Sequence, residues 1–417
     1  MRRRHLSLLL PVVALAALSA PAAATNDPAR GRQWDLDVIG ADAAHQVADG
    51  TGITVAVVDS GVDLQHEDLV GRLVPGHDFV DDDDQPQDAF GHGTHVAGVI
   101  AATPGNGKGI AGIAPGAKVM PVRVLGADGS GNLDDVVAGV RWAVAHGAKV
   151  INLSLGEDTQ TLLGPAFGDV LREAWAAGAV PVVSAGNQFL TGSGFRDEPA
   201  LVVAATDRAD AKPTYSSGVG AAQWGIAAPG GELPDLGTDG AILSTYWTGK
   251  EPDQYAYLAG TSQAAPHVSA AVAILLSTGR FTPSQAVHRL LDTAKDIGTP
   301  GHDPTFGAGR LDLAAATAGL RPGEHGRPGA VSPKPAPPRA TTTTTTPVLP
   351  GPAVTTPSIP TSVLSPVTTD IVPKRERVAL AAGKGDENPT TERTLPAVAA
   401  LALAAGVAAA AARRRRL

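Results

Sequence analysis

The 417-residue chain contains no cysteine, which excludes disulfides, cysteine-ligated zinc, iron–sulfur centres and thiol catalysis. Aromatic residues are scarce at 4%, whereas glycine (49) and proline (34) are plentiful. Length alone suggests two or three domains. So few large side chains point instead to one sizeable α/β domain flanked by unpacked tails. Positive charge is sparse in that domain. Residues 25–320 hold 17 basic and 35 acidic side chains, while residues 1–24 carry +3 and 321–417 carry +7. A body this acidic argues against nucleic acid as a partner. It attracts cations, and calcium, which takes oxygen ligands, is the expected one.

The two ends read as addressing and attachment segments. Arg2–Arg4, the apolar run Leu6–Leu18 and Ala22-Ala23-Ala24 have the layout of a secretory signal over residues 1–24. Residues 395–412 form a second apolar run, followed by a basic tail at 413–417. As a helix that run would span roughly 27 Å, close to the hydrocarbon thickness of a bilayer. Arg413–Arg416 would stay in the cytoplasm, leaving the body outside, anchored in the cell membrane by a single C-terminal helix. A tail that lies on the surface or is processed is the alternative. Leu395-Pro396 before an apolar run and basic tail resembles a sortase signal, but the Thr-Gly such a signal needs is missing. Residues 321–394, with Pro333, Pro335, Pro337, Pro338 and Thr341–Thr346, hold too few apolar side chains to fold alone. They read as a stalk of roughly 50 Å r.m.s. length, or a plain spacer.

Inside the body, Ile53–Val58 is an unbroken apolar run between Gly52 and Asp59, as expected of a strand buried on both faces. Similar runs recur at Val119–Val124, Val150–Leu155, Val180–Val183 and Leu201–Ala205, separated by helical patterns at Leu133–His146 and Phe167–Ala177. Alternating strands and helices predict a parallel sheet with right-handed crossovers, whose sites form at the carboxyl ends of strands. Asp59 follows one strand directly, and Ser184-Ala185-Gly186-Asn187 follows another.

Three further segments carry chemistry: Asp59-Ser60-Gly61, Gly91-His92-Gly93-Thr94-His95 and Gly260-Thr261-Ser262-Gln263-Ala264-Ala265-Pro266. A serine hydroxyl is a weak nucleophile until a base such as His92 takes its proton, and a carboxylate such as Asp59 can orient that imidazole. In this order, and within these motifs, residues 27–320 resemble the subtilisin-like serine proteases, and thermitase-like members most. The resemblance implies an α/β subtilisin-like three-layer fold: a central, mostly parallel sheet with helices on both faces. It implies a serine endopeptidase acting on protein or peptide substrates, with a monomeric catalytic body. Asp59, His92 and Ser262 would form the triad, and Asn187 would donate to the oxyanion. Leu153, Ser154, Leu155 and Gly156 would pair with the substrate backbone as an added strand, and Leu133 would wall a distal pocket. Asp134 and Asp135 would either favour a basic residue near that pocket or complement a helix N-terminus.

The resemblance also implies two calcium sites. In one, Asp27, Asp68 and Asn106 supply side chains and Thr103, Lys108 and Ile110 supply carbonyls. In the other, within the acid run before His92, the ligands are Asp78, Asp81, Asp83 and Gln87 with the carbonyl of Gln85. His92 and His95 could pair on a metal, but no acid completes such a set. Members usually carry a folding prosegment. Here Thr25 leads almost at once into Asp27 and Gln33-Trp34, which resemble a mature N-terminus, so the body is expected to fold without one. Signal, body, Pro-rich linker, apolar helix and basic end resemble the architecture of mycosins, although disulfides and an N-terminal extension are lacking. The alternative to an enzyme is a surface binding module that keeps the cleft of a dead protease.

Overall fold

A computed structural model describes residues 26–155, 165–187, 195–232, 240–321 and the strand Val363–Leu364. The signal (1–24), the rest of the linker beyond Arg321, the apolar run (395–412), the basic tail (413–417) and Gly156 lie outside the described residues. Among the described residues no helix is long and apolar enough to cross a membrane.

The core is a seven-stranded sheet in the order β2-β3-β1-β5-β6-β7-β8, and every adjacent pair is parallel. Its strands are β1 (Thr54–Asp59), β2 (His77–Asp78), β3 (Lys118–Arg123), β5 (Val150–Leu153), β6 (Val180–Ser184), β7 (Leu201–Thr206) and β8 (Trp224–Pro229). Outside it, β4 (Gly131–Asn132) pairs with β11 (Val363–Leu364), and β9 (Ile242–Tyr246) forms an antiparallel pair with β10 (Gln254–Leu258).

The unbroken apolar runs are explained by burial on both faces. Val55, Val57, Val182 and Val203 join one core, with α3 (His92–Ala101) and α6 (Thr261–Ser277). Ala56, Val58, Val183 and Val202 join the other, with α4 (Leu133–Ala145) and α5 (Pro165–Ala176). The three-layer arrangement is thus the expected one. Helix α6 is buried on every side from Thr261 to Leu275, so it has no polar stripe and lies inside the molecule. Short helices α1 (Trp34–Ile39) and α2 (Ala41–His45) precede the sheet, and α7 (Pro283–Thr293) and α8 (Leu313–Thr317) close the body, with α2 packed on α8. Strand β8 and the β9–β10 hairpin were not anticipated from the sequence.

Candidate active site

Strand β1 ends at Asp59 and helix α3 begins at His92, and both side chains are buried. His92 Nδ1 lies 2.8 Å from Asp59 Oδ1 and 3.0 Å from Oδ2. Burial alone would lower the imidazole's pKa, but the Asp59 charge and hydrogen bond outweigh it, so the net shift is upward. His92 Nε2 is buried with no partner among the described residues. Gly93 is required here, because a Cβ would overlap the Gly61 carbonyl.

The sequence reading missed what holds this pair together. Asp88 is fully buried and accepts from Phe90 N (2.9 Å), Gly91 N (2.7 Å) and Thr94 N (2.9 Å). It also accepts from Thr94 Oγ1 (2.5 Å) and from Ser60 Oγ (2.8 Å), which itself accepts from Gly93 N at 2.9 Å. Asp88 therefore ties the residue after Asp59 to the first turn of the helix that carries His92. An acid just before a helix start was the available signal. Burial pushes its pKa up, against these hydrogen bonds.

His95 belongs to a different environment. Its Nε2 sits 3.1 Å from Ile242 O and 3.2 Å from Ala256 O, and burial drives its pKa down to about 3. Carbonyls only accept, so that nitrogen carries the proton. His95 is a neutral donor to the β9–β10 hairpin, and the His92/His95 metal pair is not formed.

Ser262 occupies the first turn of α6, where backbone N–H groups have no intrahelical acceptor. Four residues on, Pro266 has no N–H, so the Ser262 carbonyl loses its helical donor. Ser154 Oγ takes that place, donating to it at 2.8 Å. Asn152 Nδ2 donates to Ser154 Oγ (2.9 Å) and Ser269 Oγ donates to Asn152 Oδ1 (2.8 Å), which completes a buried polar chain under the serine. Ser262 Oγ donates to the Ser154 carbonyl at 3.2 Å. Among the described residues no hydrogen bond joins Ser262 Oγ to His92 Nε2; a resting nucleophile often meets its base only once substrate binds. Asn187 Oδ1 accepts from Thr261 N (3.0 Å) and Thr261 Oγ1 (2.9 Å). A backbone N–H can only donate, so the amide oxygen must face Thr261, and Nδ2 is turned away to meet another acceptor.

The expected substrate strand is only partly described. Leu153 and Leu155 are core residues, Ser154 is spent on Ser262, and Gly156 lies outside the described residues. Leu133 is half-buried at the start of α4, against the second core. Asn132 caps α4: its Oδ1 accepts from Asp135 N at 2.8 Å and its Nδ2 donates to Asp135 Oδ2 at 2.6 Å. Asp135 therefore serves the helix start, the first-turn reading of the two left open for it.

The two proposed calcium sites part company. Asp68 is fully buried, and its carboxylate accepts from Asn106 Nδ2 (2.7 Å), Ile110 N (2.9 Å) and Tyr255 Oη (3.1 Å). Asp27 accepts from Gly105 N (2.7 Å) and Asn106 N (3.1 Å), and Thr103 N bonds the Asp68 carbonyl at 2.9 Å. Asp27, Asp68 and the 103–110 loop that includes Lys108 are thus brought together as expected. Burial raises the Asp68 pKa, and among the described residues no lysine or arginine bonds its carboxylate. These side-chain oxygens are held by N–H and O–H donors, Asn106 Oδ1 by Lys108 N at 2.8 Å, so the cluster is gathered without being preformed as a cation cage.

The acid loop does not fit. Arg123 Nη1 lies 2.6 Å from both Asp78 Oδ2 and Asp81 Oδ2, and Asp78 Oδ1 accepts from Val80 N (2.8 Å) and Asp81 N (3.0 Å). Asp83 Oδ1 is taken by Gln85 N (2.7 Å), and Gln87 Oε1 by Leu64 N (3.2 Å). The expected cage of Asp78, Asp81, Asp83, Gln85 and Gln87 is corrected accordingly. A guanidinium from β3, distant in sequence, already balances its two anchoring carboxylates. Neither here nor at Asp27 and Asp68 is a group of three or more acid or histidine side chains gathered as a metal cluster among the described residues.

The buried Asp59–His92 pair, Ser262 in the first turn of a buried helix and Asn187 bonded to Thr261 are all carried by one parallel α/β scaffold. Residues 50–309 match the model of the Peptidase_S8, or subtilase, family, and the chain belongs to that family. Thermitase of Thermoactinomyces vulgaris is 39% identical over 280 residues, which cover 66% of this chain and 94% of thermitase. Subtilisin DY of Bacillus licheniformis is 34% identical over 278 residues, covering 64% of this chain and 91% of that protein. A solved protease structure from Pseudoalteromonas arctica PAMC 21717 superposes with a TM-score of 0.62 at 30% identity, covering 72% of this chain and all of that one. The protein is a subtilisin-like serine endopeptidase.

Proposed function

We propose that the chain cleaves peptide bonds with Ser262 as nucleophile, His92 as general base and then acid, Asp59 as the group that orients His92, and Asn187 as an oxyanion donor. One observation carries this reading: His92 spends Nδ1 on Asp59 and leaves Nε2 buried and unpartnered, in a helix packed against the one that carries Ser262. With substrate in place, the Ser262 hydroxyl turns from the Ser154 carbonyl to His92 Nε2. Its proton passes to that nitrogen as Oγ bonds the scissile carbonyl carbon. The carbonyl oxygen becomes an oxyanion held by Asn187 Nδ2 and a first-turn N–H of α6. His92 then protonates the leaving amine, and water, activated by the same nitrogen, hydrolyses the acyl-enzyme. Leu153–Gly156 and the pocket walled by Leu133 hold the acyl side of protein or peptide substrates.

Calcium belongs to the Asp27, Asp68 and Asn106 cluster with the carbonyls of Thr103, Lys108 and Ile110. When bound it supplies the positive charge that Asp68 otherwise lacks and clips the N-terminal segment to the 103–110 loop. The layout of the ends supports a secreted body tethered to the cell membrane by residues 395–412. A serine-directed fluorophosphonate tests the chemistry. Wild type should label and Ser262→Ala should not; equal labelling overturns Ser262 as the nucleophile, and no labelling of wild type leaves a binding module.

A further inference from the structure

The molecule contains a second buried His–Asp pair that the mechanism does not use. His267 sits on α6, five residues after Ser262, and is completely buried; Asp35, on α1, is 1% exposed. His267 Nε2 lies 3.0 Å from Asp35 Oδ2, and Nδ1 lies 2.8 Å from the carbonyl of Gln263, the residue after the nucleophile. Asp35 Oδ1 is buried with no partner among the described residues.

The hydrogen-bond chemistry of this arrangement leaves little choice. The Gln263 carbonyl has no proton to give, so His267 Nδ1 must carry one. A bond between Nε2 and a carboxyl oxygen then needs a second proton between them, either as imidazolium and carboxylate or as imidazole and carboxylic acid. Both forms are neutral overall, as burial of both side chains favours. Removing that proton leaves a bare negative charge in the core and sets a nitrogen lone pair against a carboxylate oxygen. The ionisable groups around the pair have other partners: on the α1 side Arg30 bonds Asp37 and Asp42, His45 of α2 bonds the Ile113 carbonyl, and Arg310, which donates to the Val38 carbonyl at 2.8 Å, is paired with Asp210 at 2.6 Å. From α3 the ionisable neighbours are His95, whose pKa is depressed to about 3, and His92, which is engaged with Asp59. Of the strands packed on α6, only β1 carries an ionisable side chain, Asp59. From α7, His288 bonds Ser284 and Arg289 bonds the carbonyls of Ala315, Ala316 and Ala318, while Asp292 is exposed.

We propose that Asp35 is a positioning residue for the nucleophile. Through His267 it clamps the N-terminal helix α1 to the Gln263 carbonyl in the first turn of α6, and the clamp holds only while the pair keeps its shared proton. The polar chain through Ser154 ties the Ser262 carbonyl from one side, and the Asp35–His267 clamp ties the next carbonyl from another. Together they restrain the two peptide units that set the direction of the Ser262 hydroxyl. The clamp rests on the assignment of Ser262 as nucleophile only for its effect on rate.

The test uses the full chain and three variants. In Asp35→Asn an amide N–H can donate to Nε2 of a neutral His267, so the contact survives without a removable proton. In Asp35→Leu it is lost. The expected result is an alkaline fall in kcat in wild type that is absent or displaced upward in Asp35→Asn. Asp35→Leu should lower kcat about tenfold at every pH with KM little changed, since small misplacements near the reacting atoms weigh heavily on rate. Superimposable alkaline limbs for wild type and Asp35→Asn would overturn the proposal. So would an Asp35→Leu enzyme that melts earlier yet keeps full kcat. Nitrogen-15 NMR of His267 in Ser262→Ala gives a readout independent of activity. Both ring nitrogens should remain hydrogen-bonded to protons until the same alkaline transition. A His267 that loses one proton near neutral pH, with no change in α6, sinks the clamp without touching the peptidase assignment.

Discussion

Two buried His–Asp pairs lie on helices that pack against each other, and they differ in one atom's partner. In both, an imidazole nitrogen meets a carboxylate at 2.8–3.0 Å, with almost no exposure. His92 gives Nδ1 to Asp59 and, among the described residues, keeps Nε2 without a partner; His267 gives Nε2 to Asp35 and donates Nδ1 to a carbonyl. The first can still accept a proton and the second cannot. Burial beside a carboxylate therefore does not by itself make a histidine a base; a vacant second nitrogen does.

The sharpest way to break this comparison is to remove each histidine in turn. His92→Ala should lower kcat by roughly 10⁶, far beyond what the stability lost by leaving Asp59 buried without its partner explains. Adding Ser262→Ala should cost almost nothing further, because triad members act as a unit. His267→Ala should do the reverse, lowering the melt first. A large rate loss for His267→Ala that equals that of His92→Ala, at unchanged stability, would erase the distinction.

Asp59→Asn should lower kcat by about 10⁴ through the wrong imidazole tautomer. It should also move the acid limb of the residual activity. The net effect of Asp59 is to raise the His92 pKa, so the wild-type limb should lie above the usual imidazole value of about 6.5. Activity needs the neutral ring, so it is lost as pH falls through that limb. Without the carboxylate charge the limb should shift to lower pH. A limb that does not move would show that Asp59 is not what tunes His92.

Asn187→Ala should cost on the order of 10²–10³ in kcat with KM largely kept, the magnitude the oxyanion donor of subtilisin is known for. A change confined to KM would reassign Asn187 to ground-state binding.

A smaller effect sharpens the same lesson at the two carboxylate clusters. Asp78 has Arg123, whereas among the described residues the Asp68 carboxylate has hydrogen-bond donors but no basic partner. Calcium at 100 times its Kd should add about 2.7 kcal/mol to the Asp68 site, visible as a melting temperature that falls in chelator. Asp68→Ala should remove that dependence. Arg123→Met should destabilise by about 3 kcal/mol, by leaving Asp78 buried and unpaired, while the response to chelator persists. A chelator response that survives Asp68→Ala and grows in Arg123→Met would return the metal to the acid loop.

The strands and the family motifs could be read from the chain because their signals are local. A strand buried on both faces must be apolar throughout, so Val150–Leu153 and Val180–Ser184 announce themselves. Strand β8 did not, since Trp224-Gly225 and Pro229 break the pattern, and the β9–β10 hairpin encloses polar residues. The roles expected of Asp59, His92, Ser262 and Asn187 came from motif resemblance, which names the residues but not what holds them. What Asp88, Ser60 and Ser154 bond to was not legible, because a buried polar side chain looks in sequence like any surface one.

By itself, then, the sequence determined the residue types that can do the chemistry, the parallel sheet that carries them and the charge that favours cations. Which of two histidines keeps a free nitrogen, and which of two acid clusters already has its cation, was decided only in three dimensions. Asp35 meets His267 across 232 positions and Arg123 meets Asp78 across 45. The state of a buried charge depends on its nearest partners in space, and those distances along the chain leave no local pattern to read.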